Sequence, residues 1–400
     1  MSGKSLHSQV TANVRGGAVG QVSAGTKLRA PVSNKHSGVH MRFLCLVSLF
    51  PALLSASGTN DQAQPQDASR AIIEAFNTHS IVMFGEVHAN KQEYEFLRAL
   101  VSSPLFANKV DDIVVEYGNS LYQKAVDRYI AGEDVPLEEV QKAWRNTMAL
   151  GPVSPVYPSL YEAVRQVNRQ RAGKHQLRIL LGDPYINWNN MKSREDVGPY
   201  LAHRDEFYAS VVKDEVMAKH HRALLIEGWG HFLRSPSGPG FVEKELRAAG
   251  ATIFVIVFGT NAVGGYNDLD KRFDAWKVPA LMPLKGTWTG DLSAIPVLTG
   301  GTAPAGPNPL KLQDAADALL YLGPRHTLTT VNMPRADLES TPYGREIARR
   351  LEILFGQSPN IFPAASETPQ FPPGSGGAPP PLPPPPKSIH DPLPPRPSLR

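Results

Sequence analysis

A single cysteine, Cys45, among 400 residues is the first limit on the chemistry open to this chain. It lies in an apolar run that reads as part of a cleavable leader. Without that leader the mature chain has no thiol. Disulfides and thiolate catalysis are then excluded, and any bound metal takes nitrogen and oxygen ligands. The common short signatures are missing as well. There is no P-loop, no G-x-S-x-G, no H-E-x-x-H, no zinc-finger spacing and no dinucleotide G-x-G-x-x-G. The glycine stretches SGPGF (237–241) and AVGGYN (262–267) belong to loops and carry no phosphate signal. The apolar run at 43–54 stops well short of the ~20 residues of a spanning helix.

Acidic residues are absent from 1–57, which holds six basic ones. Residues 369–400 hold 14 of the 37 prolines, and three basic residues against Asp391. The formal net charge of +4 therefore comes from the ends. The mildly acidic middle argues against a nucleic-acid-binding core. Met41-Arg42, the apolar run, and then Ser55-Ala56-Ser57-Gly58 have the order of a secretory signal peptide over 41–57. On this reading Met41 is the true start, 1–40 is a mis-called or disordered extension, and the product is secreted or periplasmic. The alternative is a single membrane anchor. Cys45 sits early in the apolar run rather than after it, which argues against lipidation. Residues 58–362 then form one α/β domain. The tail, 363–400, contains APPPLPPPPKS and DPLPPRP, polyproline II by composition, a spacer or an SH3-like ligand.

Within the domain, short apolar runs alternate with amphipathic stretches. Strands are expected at 81–84, 113–115, 177–181, 223–226 and 251–259, with a last one in ADALLYLGP. Helices are expected at 67–78, 88–101, 120–131, from Pro136, and at 157–171, 204–220, 241–249 and 341–355. There is no internal repeat. This order predicts a mostly parallel central sheet with helices on both faces. Residues 259–312 are rich in Gly, Pro, Asn and Thr and read as an irregular, lid-like loop region.

Four strands end on an ionisable residue: Glu86 with His88, Glu116, Asp183, and Glu227 with His231. The carboxyl ends of parallel strands line the ligand crevice of such sheets. Glu86 and His88, two apart, face the same side in extended geometry. A helix beginning at His88 would disfavour imidazolium and leave the neutral ring that a base or metal ligand needs. The plain alternative is a capping Glu and a surface His. Glu116 closes a buried strand and needs a partner, which Arg98 or Arg204 supplies; a structural salt bridge would account for it equally well. Asp183 precedes Pro184 and could simply open a turn. Gly228-Trp229-Gly230 lets backbone approach a ligand beside His231. His175, His203 and His326 read as surface, and His220-His221 as a helix end.

With G-E-V-H at 85–88, G-W-G-H at 228–231 and Glu116 between them, the chain resembles the superfamily that joins ChaN-like haem-binding proteins, TraB/PrgY, Tiki proteases and erythromycin esterases. YIAGEDVPLEEVQKAW, YPSLYEAVRQVNRQ and the helix opened by Arg204-Asp205 resemble further segments of it. The resemblance covers about residues 70–258. It implies that Glu86, His88, Glu116 and His231 form the active or metal site, with Arg98, Asp183 and Arg204 in support. The spacing of Glu86 and His88 is nearer the ChaN and Tiki pattern than the esterase one, which puts a macrolide substrate in doubt. Two functions follow. One is a hydrolase of ester or amide bonds, its water activated by His88 directly or on a divalent metal held by His88, His231, Glu86 and Glu116. The other is a haem- or metal-binding uptake protein without turnover. The region with Tyr266, Trp276 and Trp288 could cover either ligand. The acid-rich cluster suits a hard cation or water activation better than haem.

Overall fold

The computed structural model describes residues 64–148, 153–259, 268–299, 309–339, 341–356, 367–369 and 391–395. The expected extension and signal peptide, 1–57, lie outside them, as does most of the proline-rich tail. No helix among the described residues is long and apolar enough to cross a membrane.

Eight strands form one sheet: β1 (Gln66–Asp67), β2 (Ile81–Glu86), β3 (Asp112–Asn119), β4 (Arg178–Asp183), β5 (Ala223–Gly228), β6 (Ile253–Phe258), β7 (Ala280–Pro283) and β8 (Ala318–Tyr321). Their order is β1-β7-β8-β6-β2-β5-β3-β4. The six strands from β8 to β4 run parallel, while β7 pairs antiparallel with β8 and with β1. The chain is thus α/β with a mostly parallel central sheet. Alternation along each strand feeds two cores. Val82 and Phe84 of β2 meet the helices Lys91–Ser102 and Val156–Gln170 on one face. Ile81 and Met83 meet the helices Arg204–Val211 and Phe241–Ala248 on the other. Burial on both faces is why these strands read as continuous apolar runs.

Three local features differ from the sequence expectation. The helix expected from 88 starts at Lys91. Ala89 takes a left-handed φ of 61°, and the Asn90 side chain caps the first turn by accepting from Glu93 N at 2.8 Å. The helix at 204–220 is α-helical only to Val211, then widens to a π-turn, Val212–Val216, tightens at Met217–Lys219 and ends on left-handed His220. The stretch 259–312 is not irregular throughout. It supplies β7 and the helices Asp268–Asp274 and Ala294–Thr299, and Trp276 and Trp288 stand 6.1 Å apart around buried Phe273 in the core. Tyr266 lies outside the described residues.

Candidate functional site

The pleat decides which face each strand-end acid reaches. β2 and β5 pair in register, Gly85 opposite Glu227 and Glu86 opposite Gly228. Glu86 follows Val82 and Phe84 on one face, and Glu227 follows Ala223 and Leu225 on the other. Glu116 follows Val114 toward the second face, where the helix bearing Arg204 packs, and beyond Val115 the register of β3 against β4 shifts before Asn119.

Glu116 is the centre. Its Oε2 accepts from Gly228 N at 2.7 Å, and its Oε1 pairs with Arg204 Nη2 at 2.9 Å. Arg204 Nε donates to Asp183 Oδ1 at 2.6 Å, and Asp183 Oδ2 accepts from Met148 N at 2.5 Å. Burial alone would raise the Glu116 carboxyl. The charge of Arg204, then those of His88 and His231 and the Gly228 N–H, outweigh it and hold the group at about 2. Burial pushes Asp183 up to about 6 even beside Arg204. Arg204 is itself desolvated, but the charges of Asp183 and Glu116 raise its pKa and keep it cationic.

On the first face His88 Nδ1 meets Glu86 Oε1 at 2.8 Å. The ring lies across the Gly228 backbone, where a Cβ would come within 2.7 Å of Cε1. Desolvation disfavours the charged ring, yet the bond to Glu86 and the charges of Glu116 and Glu86 carry its pKa up to about 9, although 49% of the side chain is exposed. The neutral imidazole expected from a helix dipole is therefore not what this environment favours. The helix begins three residues later, and nearby carboxylates dominate. Tyr117 stands edge-on to His88 at 5.3 Å and stacks on Tyr157 at 3.6 Å. The Tyr157 hydroxyl accepts from Ala89 N at 3.0 Å. Buried Glu93 accepts from Val87 N at 2.8 Å, so the turn that presents His88 is held from two sides.

On the second face His231 Nδ1 meets Asp205 Oδ1 at 2.8 Å and Glu227 Oε1 at 3.7 Å. Glu227 is 1% exposed, and neither carboxyl oxygen makes a hydrogen bond. Burial, then the charges of Glu116 and Asp205, push this carboxyl well above its ordinary range.

The expected four-residue ligand set thus divides. Glu86, His88 and Glu116 offer ligand atoms within 4.8 Å of one another, and Asp205, Glu227 and His231 form a second such group. Arg204 touches Glu116. Arg98 does not: it is exposed on the outer side of its helix and lines a surface groove with Ser159, Glu162 and Gln166. Asp205 and Glu93 were not anticipated as site residues. Glu227 carried the strand-end signal, but sequence reasoning did not place it in the site.

No family model matches the chain, and no curated protein does. Solved structures similar to it include an erythromycin esterase mutant in its open conformation, 12% identical, covering 64% of this chain and 93% of that one with a TM-score of 0.41. The type III effector HopBA1 is 11% identical over 66% of this chain and 98% of its own, with a TM-score of 0.36. The haem-binding ChaN of Campylobacter jejuni is 12% identical over 50% and 88%, with a TM-score of 0.28.

Proposed function

We propose that the strand-end cluster hydrolyses an ester or amide bond, with its two imidazoles dividing the proton transfers. The observation that carries this reading is the pair of imidazole–carboxylate bonds, His88–Glu86 and His231–Asp205, each 2.8 Å long, on either side of the buried Glu116–Arg204 ion pair. Each bond takes Nδ1 and leaves Nε2 for chemistry. His88, held up at about 9, is imidazolium near neutral pH. It suits donation to a developing oxyanion or leaving group, and Arg204 adds fixed positive charge. The role of base moves to His231, oriented by Asp205. Water oxygen attacks the carbonyl carbon as His231 Nε2 takes its proton. The carbon–oxygen or carbon–nitrogen bond then breaks, and His88 protonates the leaving group.

The two groups differ in how well they suit a divalent ion. Both Glu116 oxygens already accept, from Arg204 and from Gly228 N. Neither buried Glu227 oxygen makes a hydrogen bond, against one such oxygen, Glu86 Oε2, in the first group, so Asp205, Glu227 and His231 are the donors that better fit a hard cation. An ion bound there would supply Lewis acidity.

The test is a screen of p-nitrophenyl esters and fluorogenic peptides with the native chain, His88→Ala and His231→Ala. Each substitution is expected to lower turnover by about 10²–10⁴-fold with the fold unchanged. Full activity in both would sink the reading. One observation favours a second reading, haem binding without turnover: Tyr117 and His88, both of haem-ligating type, stand 5.3 Å apart at the same strand ends. A Soret band on haem addition, lost in His88→Ala and Tyr117→Phe, would support it. We further infer from the signal-peptide-like order of residues 41–57 that the protein acts outside the cytoplasm, and N-terminal sequencing of the mature chain tests this.

A further inference from the structure

We propose that residues 391–395 of the proline-rich tail are an intramolecular ligand of an aromatic groove beside the strand-end site, and that seating them steadies the helix bearing Arg204 and Asp205. The groove is built by Tyr185, Tyr200 and Phe207. Tyr185 stands edge-on to Tyr200 at 6.2 Å and to Phe207 at 5.4 Å. Aromatic slots with a donor at the rim recognise polyproline II chains, whose rings fill the slots and whose carbonyls have no internal partner.

The tail segment Asp391-Pro392-Leu393-Pro394-Pro395 offers the free carbonyls, while its three prolines stay exposed and Leu393 supplies the apolar contact. Leu393 packs against the core cluster on this face of the sheet. The Tyr185 hydroxyl donates to the Pro394 carbonyl, and His203 Nε2 donates to the Asp391 carbonyl at 3.0 Å. Asp391 and Pro394 are three residues apart, one turn of a polyproline II helix, so both carbonyls face the same side. The two contacts close loops of 209 and 188 residues, so they join distant parts of the chain.

The receiving residues adjoin the site in sequence. Tyr185 lies two residues beyond Asp183, the partner of Arg204. His203 is the N-cap residue of the helix Arg204–Val211, and Phe207 lies within that helix. A seated tail therefore ties down the segment that positions the Glu116–Arg204 pair and the Asp205–His231 pair. The inference stands on these contacts and does not depend on the hydrolase reading.

The test is amide hydrogen exchange in the full chain, comparing wild type with Leu393→Asp and with the control Leu382→Asp in the other proline run. Leu393→Asp is expected to speed exchange of the 203–208 amides by roughly fivefold or more while β2, β5 and β6 stay protected. Leu382→Asp should leave the pattern as in wild type. A synthetic peptide of residues 388–397, added at millimolar level to match a tether's effective concentration, should restore protection to Leu393→Asp. Unchanged exchange, a rise spread over the whole sheet, an equal rise in Leu382→Asp, or no restoration by the peptide would each overturn the proposal.

Discussion

Gly228 is where the second G-x-x-H motif meets the first. A Cβ there would lie 2.7 Å from His88 Cε1, 3.1 Å from Nε2 and 3.5 Å from Glu116 Oε2. The ring would have to leave its place, and the bond to Glu86 would go with it. Gly228→Ala is therefore expected to keep the fold, to lower the His88 pKa from about 9 toward its ordinary 6.5, and to reduce activity by about 10²-fold. An NMR titration of His88 checks this, and an unchanged value near 9 would show that Gly228 does not set the ring's position. At this scale Glu86, His88, Glu116 and His231 were legible because each sits just past an apolar run. Asp205 was not, because its partner His231 is 26 residues away and no local pattern links them. Arg98 and Arg204 were equal candidates for Glu116 in the sequence. Only the packing puts one against the carboxylate and the other in solvent.

Elements carry these residues, and their fit against the sheet sets the site. Gly182 in β4 lies under the helix Arg204–Val211, where a Cβ would come within 2.4 Å of the Tyr208 ring and 3.0 Å of the Val115 carbonyl oxygen. Tyr208 is buried, and its hydroxyl donates to Val114 O at 3.1 Å, so it has little room to yield. Gly182→Ala is expected to destabilise the protein by about 2 kcal/mol, and to lower activity because Arg204 rides on the same helix. Denaturant unfolding reads the first effect; unchanged stability would show that Tyr208 can give way. The long strands and amphipathic helices were legible from their apolar runs and 3.6-residue spacing. β7 was not. It has four residues, sits among glycine, proline and threonine, and owes its place to antiparallel pairing with β8. The start of the helix after β2 was also misread, since a left-handed Ala89 and a capping Asn90 leave no mark in hydrophobic periodicity.

For the whole molecule, alternating strands and helices implied a parallel sheet, but not the strand order. Insertion of β5 between β2 and β3 is what brings Gly228 N under Glu116 and His231 near Asp205. Those tertiary charges predict how stability follows pH. Glu116, held down to about 2 from an ordinary 4.5, contributes stability that is full above pH 4.5 and lost as pH falls through about 2. His88, raised from 6.5 to about 9, contributes stability that is full below pH 6.5 and lost as pH rises through about 9. Asp183, raised from 3.8 to about 6, contributes stability that is full below pH 3.8 and lost as pH rises through about 6, so its loss follows the gain from Glu116 and is complete before the His88 window opens. Thermal melts are therefore expected to show Tm falling between pH 6.5 and 9, with most of that fall removed in His88→Gln. The alkaline limb of any hydrolytic activity should lie near pH 9 and come from the same group. A Tm that rises over this interval, or an equal fall in His88→Gln, would mean that the His88–Glu86 bond does not hold the imidazolium in the folded chain.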